Sequence, residues 1–166
     1  MADKDQILKE KMEHIGLFDF KGFYSFAHAW FKEDKYGVTE EKYSEKTSGN
    51  SRDILIEWRA TKDLSDYFKF EFKIRFEIEG MTEVEVEIDG QKKTANKGKI
   101  KTEITGTLIS DKDSKWDTSP FARFSRDLYN KYIIPSRMED MKDLLRSKVQ
   151  TFKDELKAFL DLIGRR

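Results

Sequence analysis

Few side chains in this sequence are both chemically capable and suggestively spaced, and each candidate has to be weighed against what the fold alone would require. The two histidines, His14 and His28, are the only imidazoles and so the readiest proton-transfer groups near neutral pH. His28 flanks an aromatic stripe, but no serine or carboxylate stands at a spacing that would make it half of a catalytic pair. With no cysteine, the chain offers no thiol nucleophile, disulfide or thiolate metal site. Asp111, Asp113 and Asp117 in DKDSKWD superficially resemble a calcium loop, which needs several convergent oxygens. The resemblance fails because Lys115 takes the third ligand position, Trp116 replaces the bend glycine and Ala122 replaces the bidentate glutamate. No catalytic residue, metal site or cofactor is therefore expected, and the chain does not read as an enzyme.

Two larger groupings could bind rather than react. Lys92, Lys93, Lys97, Lys99 and Lys101 form the densest basic cluster and could hold an anion or a phosphate backbone. The cluster lacks arginine and interleaved aromatic residues, and Glu83, Glu85 and Glu87 on the preceding strand could neutralise it in a cross-strand ladder. The second grouping is aromatic: Trp30, Trp58, Phe68, Phe70, Phe72, Phe76 and Phe152 could pack solid or line a cavity for an apolar ligand.

The elements that would position these groups begin with Tyr67 to Glu79, YFKFEFKIRFEIE, in which apolar and charged residues alternate without a break. That period of two is a strand with one covered and one wet face. Asp53 to Ala60 alternates likewise, Val38 to Thr47 reads as a charge-protected edge, and Lys99 to Ser110 supplies a last strand. Gly80, Met81 and Thr82 are expected to form a hairpin loop that sets Ile78 opposite Val84, Phe76 opposite Val86 and Ile74 opposite Ile88. Asp89-Gly90 is the strongest turn signal and could fold Gln91 to Thr94 back as a small arm.

Helices are expected over Lys4 to Ile15, ended by Gly16, and from an Asp19 cap through Phe20, Phe23, Tyr24, Ala27, Trp30 and Phe31. Ser119-Pro120 would open a third helix running to Tyr132, and Arg137 to Ile163 a long fourth with an apolar stripe from Met138 to Ile163. The fold class is then α+β, a two-layer sandwich: an antiparallel meander of about five strands (38–110) under two N-terminal helices (1–35) and two C-terminal helices (119–163). A sheet gripped by a long C-terminal helix resembles the helix-grip lipid-binding domains in architecture alone. Those domains usually begin with a strand, and none of their motifs is present here.

At 166 residues one domain is the natural division, and 13% aromatic residues suffice for a core despite a mean hydropathy of -0.77. Thirty-two basic against 32 acidic residues remove the global field that a nucleic-acid binder exploits, so nucleic acid is not an expected partner. MADKDQILKEKMEH lacks the apolar centre of a signal peptide and no run reaches the roughly 18 residues of a membrane span, giving a cytoplasmic expectation. The first functional expectation is a non-catalytic binding or interaction module for an unidentified protein partner. The alternative is a carrier holding an apolar ligand between the sheet and the C-terminal helix, and the third is anion or nucleic-acid binding through the lysine cluster. The C-terminal stripe serves either the core or a homodimer seam.

Overall fold

The computed structural model describes residues 3–110 and 134–164. Their order is β1 (Asp3–Phe18), α1 (Phe20–Glu33), β2 (Gly37–Ser48), β3 (Ser51–Asp63), β4 (Phe68–Ile88), β5 (Gln91–Ser110) and α2 (Ile134–Gly164). The strands form one antiparallel sheet in the order β1-β5-β4-β3-β2, so the fold is α+β. β2 to β5 are a meander with the exposed, charged β2 at one edge, as its composition suggested.

The alternation in β4 decides which side is covered. Rows of apolar partners cross the sheet: Ala60, Phe72 and Gly106; Trp58, Ile74 and Ile104; Ile54, Ile78 and Ile100. Both helices lie over these rows. Asp19 caps α1 by accepting from the Gly22 amide at 3.1 Å, and Phe23, Ala27 and Phe31 are its buried face. Leu145, Val149, Phe152, Leu156 and Leu160 are that of α2. A Cβ on Gly106 would stand 2.9 Å from the Val149 side chain, so its bare backbone lets α2 approach β5 closely.

The expected four-helix, two-layer sandwich is not what the structure shows: the described residues carry two helices. Lys4 to Ile15 is not a helix but most of β1, paired with β5 from Asp3 opposite Ser110 to Phe18 opposite Asn96. Ile7, Leu8, Met12 and Ile15 are spaced as on a helix, yet a bulge between Gln6 and Leu8 shifts the alternation so that Leu8 and Met12 face the core. Pairing with the open edge of β5 outweighs the local period, and Gly16 (φ +129°) lies within the strand. The helix expected over Ser119 to Tyr132 and the DKDSKWD segment lie outside the described residues. Pro135 lies in the first turn of α2, where its missing N–H costs nothing.

The hairpin expected at Gly80-Met81-Thr82 is a bulge instead. Glu79 pairs with Lys99 and Thr82 with Lys97, leaving Gly80 (φ +61°) and Met81 against Gly98 while β4 runs on to Ile88. Ile78, Phe76 and Ile74 therefore face Ile100, Thr102 and Ile104, and Val84, Val86 and Ile88 face Ala95, Lys93 and Gln91. The extra residue reverses the alternation, so those three apolar residues do not continue the core face. The true turn is Asp89-Gly90, whose φ values of +51° and +79° fit a two-residue type I′ hairpin.

Asp34, at the end of α1, ties three elements together. It accepts from Lys62 of β3 at 3.1 Å and from Lys148 of α2 at 3.0 Å. Partial burial pushes its carboxyl pKa up, but the bonds from Lys148 and Lys62 outweigh that and hold it below the ordinary 3.8. A depressed folded value means stabilisation that is complete above the ordinary value and is lost as pH falls through the folded one. Asp34→Asn should therefore lower the denaturant midpoint at pH 7, and the gap between variant and parent should narrow toward pH 3; a gap independent of pH would contradict the ion pairs. Phe72, fully buried, predicts a loss of about 3 to 5 kcal/mol in Phe72→Ala by equilibrium unfolding, and a loss under about 1 kcal/mol would contradict the tight core.

Candidate binding face

The aromatic set lies on the helix-covered side, and the structure divides it. Trp30, Phe72 and Phe152 meet with Phe31 in one knot: Trp30 to Phe152 is 4.8 Å between ring centroids, Phe31 to Phe72 5.2 Å and Phe31 to Phe152 4.7 Å. Trp58 and Phe76 form a second with Phe23, at 5.3 Å and 5.1 Å. Phe68 and Phe70 are buried toward the start of β4, with Tyr67 at 5.0 Å from Phe68. Every ring of the set except Trp30 is at most 2% exposed. Trp30 also borders an open groove between α1 and α2 with Asp34, Lys148 and Thr151.

The lysine cluster is dispersed. Lys93, Lys97, Lys99 and Lys101 share one face of β5, with Lys92 on the other. Lys99 pairs with Glu13 at 3.4 Å and Lys101 with Glu79 at 3.3 Å, so part of the cluster is neutralised by neighbouring strands. Lys92, Lys93 and Lys97 are exposed on the arm that β4 and β5 form beyond the bulge. The histidines are apart as well. The His14 Nε2 contacts the Leu17 carbonyl at 2.9 Å, and the His28 ring meets Trp58 edge-on at 5.8 Å. Among the described residues no group of three or more His, Asp or Glu is placed to hold a metal ion.

The side of the sheet away from the helices is where charge is organised. Lys42, Glu57, Arg75, Glu103 and Lys11 are successive partners across all five strands, so the sign alternates at every step. Ion pairs knit this row to its neighbours, Lys9 to Glu103 at 2.7 Å and Arg75 to Glu77 at 2.7 Å, and beside it Arg59 pairs with Glu41 at 3.5 Å. The hydrogen bond from Lys9 holds the Glu103 carboxyl below its ordinary value against a smaller effect of burial, with Lys9, Lys11 and Arg75 adding their charge. At the β2 edge, Glu40 accepts from Tyr24 at 2.8 Å and from Trp58 at 3.1 Å. Burial, then that bond and the Glu40 charge, push the Tyr24 hydroxyl up to about 12.

Three depressions mark this face. One of about 360 Å³ is lined by Lys11, Glu13, Arg75, Glu77, Lys101 and Glu103, and one of about 250 Å³ by Glu41, Glu57, Lys73 and Thr105 among others. The third, about 330 Å³, draws on every strand: Lys4, Thr39, Arg59, Thr61, Lys69, Glu71 and Ile109. In it Glu71 is only 3% exposed, the one acidic or basic residue in the buried set. Sequence reasoning missed Glu71 because its place on the wet side of the β4 alternation makes it look like any other solvated charge. No local signal separates it from Lys69 or Lys73.

No known protein family, no curated protein and no solved structure matches the chain. The charge order of the open face yields its own expectation. Arg75→Glu would set a carboxylate opposite Glu57 and Glu103 and beside Glu77, costing roughly 1 kcal/mol of stability at low salt and less at 1 M salt. Equilibrium unfolding at the two ionic strengths reads this; an unchanged or raised midpoint would mean the ladder does not act as a unit.

Proposed function

We propose that the protein is a non-catalytic binding module that engages its partner through the open, charged face of the sheet. The observation that carries this is the contrast between the two faces. One is filled by the protein's own rings at centroid distances of about 5 Å, and the other presents five strands of ordered charge and shallow depressions with no helix over them among the described residues. A surface of alternating sign selects a partner with the complementary order of charges rather than one with a large net charge, in keeping with 32 basic and 32 acidic residues. The same contrast favours this reading over an apolar carrier, which needs space where the rings of Phe31, Phe72 and Phe152 meet. The stripe of α2 is likewise occupied, since Leu145, Val149, Phe152 and Leu156 are fully buried in this chain's own core. No described helix is long and apolar enough to cross a membrane.

Photo-crosslinking from single positions, in cells that naturally make the protein, tests the proposal. A probe at Thr105, on the open face, should capture one defined partner; a probe at Lys157, on an exposed turn of α2, should not. Capture at Thr105 should be lost when Arg75 is changed to Glu. Capture from Lys157 alone, or capture at Thr105 indifferent to Arg75, would overturn the reading.

A further inference from the structure

Six charges near the centre of the open face form a checkerboard. Arg75, Glu103 and Lys11 are neighbours across β4, β5 and β1, and Glu77, Lys101 and Glu13 stand two residues along the same strands. Every neighbour, along or across the strands, therefore has the opposite sign. Together the six wall the depression of about 360 Å³. Within the chain they already pair in part: Arg75 with Glu77 at 2.7 Å, Glu103 with Lys9 at 2.7 Å, Lys101 with Glu79 at 3.3 Å and Glu13 with Lys99 at 3.4 Å. What the face presents is thus an order of signs rather than an unpaired charge.

A checkerboard complements itself once shifted by one square, and a two-fold axis makes that shift. Consider an axis in the plane of the face, across the strands and midway between the two rows. It turns a second copy face to face so that Arg75 meets the other copy's Glu77, Glu103 meets its Lys101 and Lys11 meets its Glu13, each pairing made twice. One row further out Lys73 meets Glu79, while Thr105 and Lys9 meet Lys99 and Ile15, so no like charges face each other on these three strands. An axis along the strands between β4 and β5 also joins opposite signs at the centre, but it sets Arg59 against Lys9. With 32 basic and 32 acidic residues, two copies have no net repulsion to overcome.

We infer that the partner of the open face is a second copy of this chain, docked through the checkerboard in a symmetric dimer. The inference rests on the open face being the binding face and names its occupant. Exposed ion pairs contribute little singly and are screened by salt, so a dimer held by a set of them is salt-sensitive and fails when the order of signs is broken.

Analytical ultracentrifugation of the full chain tests this. The parent should dimerise at low salt, with a dissociation constant raised roughly tenfold or more at about 1 M salt. Arg75→Glu sets like charges against Glu77 of the other copy, and Glu77→Lys does so against its Arg75; each alone should weaken the dimer roughly tenfold or more. Mixed in equal amounts, the two variants should dimerise as the parent does, because each then supplies the charge that the other lacks. Amide NMR spectra report whether each variant is folded. Should either fail to fold, a photo-crosslinking probe at Thr105 in the otherwise unchanged chain should give a product of twice the chain mass, joined beside Lys99. A parent that stays monomeric at low salt, folded variants that dimerise singly or do not recover on mixing, or a Thr105 product joined elsewhere would overturn the dimer. A monomer that still captures a different protein from Thr105, in a way that depends on Arg75, leaves the binding face standing and removes only the second copy as its occupant.

Discussion

The rings of Phe31, Phe72 and Phe152 meet where α1, β4 and α2 come together, each within 5.2 Å of Phe31. Because Phe72 is part of an unbroken alternation, fixing it against the helices fixes every second residue of β4 on the same side and sends Lys69, Glu71, Lys73, Arg75 and Glu77 to the other. The β3 and β5 partners inherit that choice through their register, so one aromatic contact sets the polarity of the whole sheet. A slip of one residue would bury a row of charges, which is why the register is so strongly specified.

The charged face is then a consequence as much as a feature. Once the apolar residues are committed, the remaining ones stand side by side at strand spacing, where like charges repel and opposite charges attract. The row from Lys42 to Lys11 satisfies that constraint at each step, and Lys9, Glu77, Arg59, Lys99 and Lys101 are held in ion pairs in or beside it. Glu71 departs from the pattern: a carboxylate nearly out of water, facing one distant guanidinium.

The sequence revealed most where alternation or helical spacing ran long and uninterrupted. β4, β3, the Asp19-capped α1 and the stripe of α2 all follow from period and caps. β1 was illegible because a bulge at Gln6 to Leu8 breaks its alternation, and because half of its core-facing positions are polar: Glu10 reaches Lys153 and Gln150 of α2 rather than a hydrophobic neighbour. Only pairing with β5, distant in sequence, makes it a strand. Gly80 read as a turn for a sound local reason, its left-handed backbone, but left-handed glycines serve bulges as well as turns, and the choice depends on whether the partner strand continues. The open face was legible as wet and charged, whereas the burial of Glu71 leaves no local trace in the β4 alternation.

The proposed binding role of the charged side depends on the aromatic side being filled by the protein's own rings. Native mass spectrometry of the protein purified without organic solvent measures this directly. The expected mass is that of the chain alone, or of a whole number of chains, with no apolar species released on denaturation. A stoichiometric apolar molecule, released on unfolding and giving NMR contacts to Phe72, Phe76 or Phe152 when bound, would contradict it and make the ring-lined side the site.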